Sequence, residues 1–492
     1  MMRRGILAVD EGSTGTRAAV VGEDGRCGPS FYTSIDVSHP EPAQVEQDAM
    51  QLLDRTVGVA RQAVAWAAEN GVEIAGMSIC TQRATAVLWD RETGRPLAPA
   101  VVWQDSRYAA ELAQLAPEWD RHLWPATGRP VGTRAPFLWA ARQLERLDVP
   151  AERVLFGSVD TWLVWHLSGR ERFTISATNA VAFGGYRLRE HTWDADWLAA
   201  LGFPAELAPP PLDDDGDYGH TDPELLGIRV PIAAVMGDQH ASLIALGALS
   251  PGQGTCVHGT GTFVGALAGD EPPEAVGGLD GVLCLVAWRS RGHSRFSLEA
   301  YTSTTGSALR WLTEDLGLFT SAAEISALAA TQPSGEATWF VPTLAGLRTP
   351  VLRPEARGVL AGLSLATTRE VLARAVIDGI AHAVSDTVDA LRTTMDRPLT
   401  HLRVGGGLAA SDALLQSQAD FTGLAIERVA DSATASLRGA AYLAGTRLGL
   451  WSSLADAVAH RPPDRIFEPG LAETDRLKLR ARWQDVLAVS LS

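Results

Sequence analysis

A carboxylate at the end of a short apolar run is the first sign of chemistry in this chain. Gly5-Ile6-Leu7-Ala8-Val9 closes on Asp10, and Gly12-Ser13-Thr14-Gly15-Thr16 follows before Arg17-Ala18-Ala19-Val20-Val21. A strand, a turn of small residues and a second strand make a hairpin whose tip is backbone and hydroxyl. The same grammar recurs at Gly254-Thr255-Cys256-Val257-His258, Gly259-Thr260-Gly261-Thr262 and Phe263-Val264-Gly265-Ala266-Leu267. A second carboxylate, Asp238, follows the apolar Val230–Met236 and precedes a helix-like stretch from His240 to Leu246. It sits where a strand hands over to a helix, the usual position for a functional side chain in α/β folds. Gly405-Gly406-Gly407 separates the strand-like Leu402-Arg403-Val404 from a helix starting at about Ser411. Such a triplet lets a ligand approach backbone and offers helix N–H groups to phosphate, and it serves equally as a plain turn.

The cations narrow the possible classes. Among 492 residues, 42 Lys+Arg stand against 58 Asp+Glu, for a net charge of −16, and the one lysine is Lys478. A Walker A loop, a protein kinase's strand lysine and a pyridoxal Schiff-base lysine are all missing. The acidic balance argues against nucleic acid as a partner, because phosphate neutralisation needs a basic face. It leaves room for a small anionic ligand held by local geometry. Cys27, Cys80, Cys256 and Cys284 lie far apart and read as reduced, buried thiols. The start Met1-Met2-Arg3-Arg4 leads into an apolar run that ends at Asp10-Glu11, so it has no signal-peptide core. No uncharged apolar stretch of about 18 residues exists to span a membrane, and the chain reads as a cytoplasmic enzyme. The loop Pro209 to Asp217, with Asp213-Asp214-Asp215, lacks the spacing and terminal Glu of a calcium loop and reads as solvated.

The elements that position these residues form two sets. The length suggests two or three domains, and one hairpin near the start of each half suggests two related ones, divided near residue 245 (1–244 and 245–492). The best helix lies late: Thr367-Thr368-Arg369-Glu370 reads as a capping box. Leu372, Val376, Ile380, Val384, Val388 and Leu391 then recur at the spacing of one buried helical face.

In combination and in order, these pieces resemble the FGGY carbohydrate kinases, over Ile6 to about Leu450. The motifs that carry the resemblance include Asp10-Glu11-Gly12-Ser13-Thr14-Gly15-Thr16-Arg17, Val45-Glu46-Gln47-Asp48, Thr81-Gln82-Arg83 and Trp103-Gln104-Asp105-Ser106-Arg107. Further along come Gly157 to Leu163, Gly237-Asp238-Gln239, Gly259 to Phe263, Pro354-Glu355-Ala356-Arg357-Gly358, Gly405 to Gly407 and Gly439 to Gly445. The resemblance implies an α/β fold of two related actin/hexokinase/Hsp70-like (ribonuclease H-like) domains with a cleft between them. The N-terminal one would mainly bind sugar or polyol and the C-terminal one nucleotide.

It further implies ATP and Mg²⁺, with Asp10 holding the metal and Asp238 taking the proton of the attacked hydroxyl. Capping a turn or a helix is the competing role for each of these carboxylates. Thr14, Gly15, Thr16, Arg17, Thr260 and Gly261 would meet the phosphates. Gly306, Arg310, Gly407 and Ser411 match positions near the adenosine, although Arg310 and Ser411 replace the amide side chains of the glycerol kinase branch. Self-association as a homodimer or homotetramer is likewise what the resemblance implies.

The acceptor side departs from the pattern. In the glycerol kinase branch a glutamate follows the arginine of the Gln-Arg pair, whereas here Ala84 follows Arg83. Gly128-Arg129-Pro130-Val131-Gly132-Thr133-Arg134-Ala135-Pro136 lacks the substrate tyrosine expected there. Two hydroxyl contacts are gone, each worth on the order of 1–3 kcal/mol, which disfavours glycerol and makes room for a larger polyol or ketose. Arg83, Asp238 and Gln239 remain as hydroxyl ligands, and Trp103 and Phe263 serve as apolar walls or as core. The reading is thus a sugar or polyol kinase, with a true glycerol kinase as the runner-up. A nucleotide or sugar sensor is the alternative class, and the pair Asp238-Gln239 speaks against it.

Overall fold

The computed structural model describes residues 3–274, 281–335, 337–353 and 355–491. Met1 and Met2 of the start read above, and the Pro354 that opens one motif, lie outside them.

The first hairpin is β1 (Arg3–Glu11) and β2 (Gly15–Gly22), and β3 (Phe31–Ser34) extends it antiparallel. Across β1 lie β4 (Val72–Thr81) and β5 (Ile232–Gly237), both parallel, giving the order β5-β4-β1-β2-β3. The second half repeats the plan. Its hairpin is β6 (Gln253–His258) and β7 (Thr262–Gly269), followed by β8 (Leu283–Ser290) and β9 (His293–Thr302). With β10 (His401–Gly406), β11 (Ala425–Val429) and β12 (Pro463–Phe467) the sheet reads β8-β9-β7-β6-β10-β11-β12. The shared core of three antiparallel strands and two parallel ones, present twice, is the fold the resemblance implied.

Both faces of the first sheet are covered, which is why its strands are apolar almost throughout. Helix α1 (Ala49–Glu69), capped by Asp48, presents Leu52, Leu53, Val59, Ala60 and Ala63 to one face. The other face receives α5 (Ala435–Arg447), whose Leu437, Ala440, Ala441 and Leu443 join Ile6, Ala8, Cys80 and Met236 in one core. Between the halves lies α2 (Asp238–Ala245), packed against α5. Helix α3 (Arg369–Thr394) buries Val376, Ile380, Val384, Val388 and Leu391, as the spacing required, while Leu372 in its first turn is only partly buried. Its cap sits one residue later than the box predicted: Thr368 Oγ1 accepts from the Val371 N–H at 3.5 Å. Thr367 instead accepts from Ser364 within the preceding turn.

The Asp213–Asp215 loop is not solvated. Asp214 is fully buried, accepting from the backbone of Thr178 and Arg289, and burial pushes it up to about 8. Asp213 pairs with Arg289 at 2.7 Å and Asp215 accepts from Ser290 Oγ at 2.6 Å, so the loop is a tether to the second half. The four cysteines are free thiols, and three of them are buried. Among the described residues no helix is long and apolar enough to cross a membrane.

Candidate active site

Parity along β1 decides what its end can do. Side chains alternate across a strand, so Asp10 shares a face with Ile6 and Ala8, and Glu11 shares one with Leu7 and Val9. The first face lies under α5 and the second under α1. Asp10 therefore opens toward α5, where Ser436 Oγ donates to Oδ2 at 2.7 Å and Arg17 Nε stands 3.6 Å away. The Cys80 thiol points at Oδ1 from 3.5 Å; burial, with the Asp10 charge adding to it, holds that thiol well above its usual range, so it stays protonated. Glu11 turns the other way and accepts from Thr56 Oγ1 of α1 at 3.0 Å, with burial raising its carboxyl.

That register overturns one expectation. Thr16 pairs with Glu11 across the hairpin, so its hydroxyl is drawn into the core, 3.5 Å from that of Thr56, and cannot reach a phosphate at the tip. Thr14 is exposed at the tip. A Cβ on Gly15 would lie 2.3 Å from the hydroxyl of the exposed Tyr32, which would have to swing aside to admit it. Arg17 shares the Asp10 face, and its Nη1 donates to the carbonyl of Ala433 at 2.9 Å.

The second hairpin collects its own partners. The exposed Thr260 accepts at its carbonyl from the N–H groups of Thr305 and Ser307, at 2.9 and 3.1 Å. The N–H of Gly306 reaches Gly259 O at 3.1 Å, so Thr260, Gly261 and Gly306 form one surface. Arg310 lies exposed at the end of that short helix. Gly406 takes φ +87°, and a Cβ on it would fall 2.1 Å from the carbonyl of His258, which seats the glycine triplet against the end of β6. Gly407 faces open space. The Ser411 hydroxyl caps α4 (Asp412–Thr422) through the Leu414 N–H at 3.2 Å and meets Ser326 Oγ at 2.6 Å, which leaves it one hydrogen-bonding position for a ligand.

On the acceptor side, Asp238 opens α2, with Oδ1 accepting from the N–H of Gln239 at 2.7 Å. Arg83 Nε lies 3.9 Å from the same oxygen. Burial pushes Asp238 up to about 6; Arg83 opposes the rise and Asp10 adds to it. Arg83 also donates from Nη2 to both oxygens of Glu299 on β9, at 3.3 and 3.2 Å. Two residues along β9, Tyr301 stacks on Phe263 with ring centroids 5.1 Å apart. The Trp103 indole donates to Ser13 Oγ at 2.7 Å, tying the acceptor wall to the first hairpin. Gln82 supports the same tip, with its amide 3.0 Å from Gln47 Oε1, and Gln47 in turn donates to Ser13 O at 2.7 Å.

Asp10, Arg83, Trp103, Asp238, Gln239 and Phe263 thus gather where the two halves meet. Glu299, Ser436, Arg129 and Arg134 belong to the same region, and sequence reasoning passed over their roles. In Gly128–Pro136 the missing tyrosine draws the eye, and the two arginines beside that gap are the signal for a charged site. Glu299 offered none beyond its place in a strand ending near the Thr304-Thr305-Gly306 turn. Among the described residues no three His, Cys, Asp or Glu side chains are grouped to hold a metal by themselves.

Comparison with known proteins shows what the chain as a whole is similar to. Residues 5–245 match the profile of the FGGY family of carbohydrate kinases, N-terminal domain, and residues 254–448 match that of its C-terminal domain. The chain is 37% identical over 488 residues to a glycerol kinase of Aromatoleum aromaticum, covering 97% of each. Among solved structures it is similar to the Plasmodium falciparum glycerol kinase with ADP, at TM-score 0.92 and 23% identity, covering 100% of this chain and 99% of that one. It is also similar to the xylulose kinase of Rhodospirillum rubrum, at TM-score 0.85 and 23% identity, covering 99% and 98%.

Proposed function

The chain belongs to the FGGY family of carbohydrate kinases and phosphorylates a hydroxyl of a small sugar or polyol with ATP, and from that premise we propose how its residues divide the work. Asp238 is the base. The acceptor hydroxyl gives its proton to the Asp238 carboxylate as its oxygen attacks the γ-phosphorus. The new O–P bond forms as the bridging bond to the β-phosphate breaks, and ADP leaves with that electron pair. The backbone and exposed hydroxyls at the tips, Thr14 and Gly15 on one side and Thr260 and Gly261 on the other, hold the phosphates without a lysine. Arg17 supplies positive charge beside them. Gly306, Arg310 and Gly407 line the adenosine side, where the open face of Gly407 admits a ligand.

Mg²⁺ in such sites takes one or two protein carboxylates and completes its octahedron with water and phosphate oxygens. Asp10, a hard oxygen donor on the cleft face with Ser436 Oγ beside it, fits that demand. When bound, the ion neutralises charge on the phosphates. Arg83, Gln239, Trp103 and Phe263 hold and wall the acceptor.

The observation that carries this reading is the placement of Asp238 at the head of α2, facing Arg83 of its own half, which in turn pairs with Glu299 from the other half of the molecule. Coupled ADP release across a panel of polyols, ketoses and aldonates tests it beside Asp238→Asn. The variant should bind MgATP and lose about 10³-fold in kcat. Acceptor-stimulated turnover that survives the substitution overturns the assignment. Glycerol itself is the second reading, favoured by the named activity of the Aromatoleum relative and disfavoured by Ala84 and the missing tyrosine. It wins if it gives the highest kcat/KM in the panel.

A further inference from the structure

Counting charges around the acceptor recess exposes an imbalance. Arg83 is committed to Glu299 and, more loosely, to Asp238. Arg129 donates from Nη1 to the carbonyls of Val181 and Ala182, at 3.2 and 2.6 Å, and meets no carboxylate among the described residues. The Arg134 guanidinium lies over the Trp103 ring, 5.2 Å from its centroid, and makes no hydrogen bond or ion pair among the described residues. Both side chains are half-buried. Arg134 lines a narrow recess with Ala84, Trp103, Tyr108 and Asp105; the Asp105 carboxylate is already taken by Arg107 at 2.7 Å, so the space that Ala84 leaves open is flanked by a guanidinium that this carboxylate does not answer.

Each arginine feels the field of Arg83 and Glu299, and Arg348 acts on Arg134 as well. Burial first, and the charges of Arg134 and Arg83 after it, pull Arg129 down to about 9, which leaves it cationic at neutral pH. Partly desolvated guanidinium groups without a carboxylate are unfavourable unless a ligand supplies the anion. Their planar fork matches carboxylate and phosphate. A neutral polyol offers no charge to answer them.

We propose that the acceptor is anionic: a small polyhydroxylated molecule whose carboxylate or phosphate is held by Arg129 and Arg134 while a distant hydroxyl faces Asp238. This rests on the kinase reading above and adds the acceptor's charge to it. The transfer is unchanged, with the hydroxyl proton passing to Asp238 and the γ-phosphoryl group to the hydroxyl oxygen. Trp103 then acts as a platform for Arg134.

The test compares neutral polyols with the carboxylates and phosphates of the same carbon skeletons: glycerol, glycerate and glycerol phosphate, and the corresponding four- and five-carbon sets. The best anion should exceed its neutral counterpart by about 100-fold in kcat/KM, the scale of charge-assisted bidentate contacts. Whether the aldonate or the phosphate ester leads tells which anion the site holds. Arg134→Gln should raise KM for the anion by about 30-fold with KM for MgATP unchanged, and Arg134→Lys should recover part of the loss. Calorimetry on Asp238→Asn should show the anion binding without turnover, and thermal melts confirm that the arginine variants are folded. If a neutral polyol is the best acceptor and Arg134→Gln leaves its KM alone, the charge assignment falls while the kinase reading stands. If MgATP binds but no compound of either kind stimulates turnover or binds Asp238→Asn, both fall together.

Discussion

Asp238 must be ionised to accept a proton and poorly enough solvated to want one, and its surroundings set both. Burial in the cleft raises it to about 6, with the Arg83 guanidinium 3.9 Å away limiting the rise. A base acts in its deprotonated form, so activity is lost as pH falls through that value and is full above it. We expect kcat/KM for the acceptor to fall tenfold per pH unit on an acid limb centred near pH 6, since this parameter reports the free enzyme. Arg83→Met removes the group that holds the value down, so its limb should move to higher pH; a limb that stays put would separate Asp238 from the titration. Single residues were unequally legible. Asp238 could be found because a strand-to-helix junction is readable from hydropathy alone. The inward turn of Thr16 could not, because it depends on which residue faces it across the hairpin and on a helix beginning at Ala49. Arg134 stayed hidden because a guanidinium matters only once the aromatic ring beneath it is known.

Elements place these side chains, and the most exacting contact is between two helices. Gly439 on α5 lies so close to α2 that a Cβ there would sit within bonding range of the Ala241 carbonyl. Helix α2 begins with Asp238, so whatever moves its backbone moves the base. Gly439→Ala should push the two helices apart and destabilise the protein by about 1–3 kcal/mol, the ordinary cost of overpacking. A displacement of even about 1 Å at the reacting groups can cost on the order of 100-fold in rate. We therefore expect kcat to fall in a variant that remains folded below its lowered Tm. A variant with lowered Tm and wild-type kcat would show that α2 is positioned by something else. The motif Gly439 to Gly445 was visible in the sequence, but its reason was not, because close approach of two helices leaves no trace in periodicity. The hairpins, the β5–α2 junction and the buried face of α3 were legible because each declares itself within a dozen or so residues. The Asp213–Asp215 loop misled for the opposite reason. Three consecutive aspartates look solvated until the backbone and Arg289 of a distant strand arrive to meet them.

At the scale of the whole molecule, packing crosses the point near residue 245 where the sequence divides the two halves. Helix α5 lies far beyond residue 245, yet it covers one face of the first sheet, and Ser436 at its start reaches Asp10. Farther along, the Tyr442 hydroxyl donates to Gly25 O at 3.1 Å and the Trp451 indole to Glu23 O at 3.0 Å. The buried side chains of α5 lie against Ile6, Ala8, Cys80 and Met236, and without it that face would be exposed to water. Burying an aliphatic side chain of this kind is worth about 1.5–3 kcal/mol, so several such losses exceed the margin by which a domain is stable. Residues 1–244 expressed alone should therefore expose an apolar sheet face, bind a hydrophobic dye, aggregate on size-exclusion chromatography and lack a cooperative melt. Adding residues 245–492 in the same cell should restore a soluble one-to-one complex, because α5 then regains the sheet it was built to cover. A cooperative monomeric melt from residues 1–244 would show that α1 and the strands suffice, and that α5 joins the first half only to bring Ser436 to the site. In the expected case the chain links phosphate site, base and acceptor recess through one core.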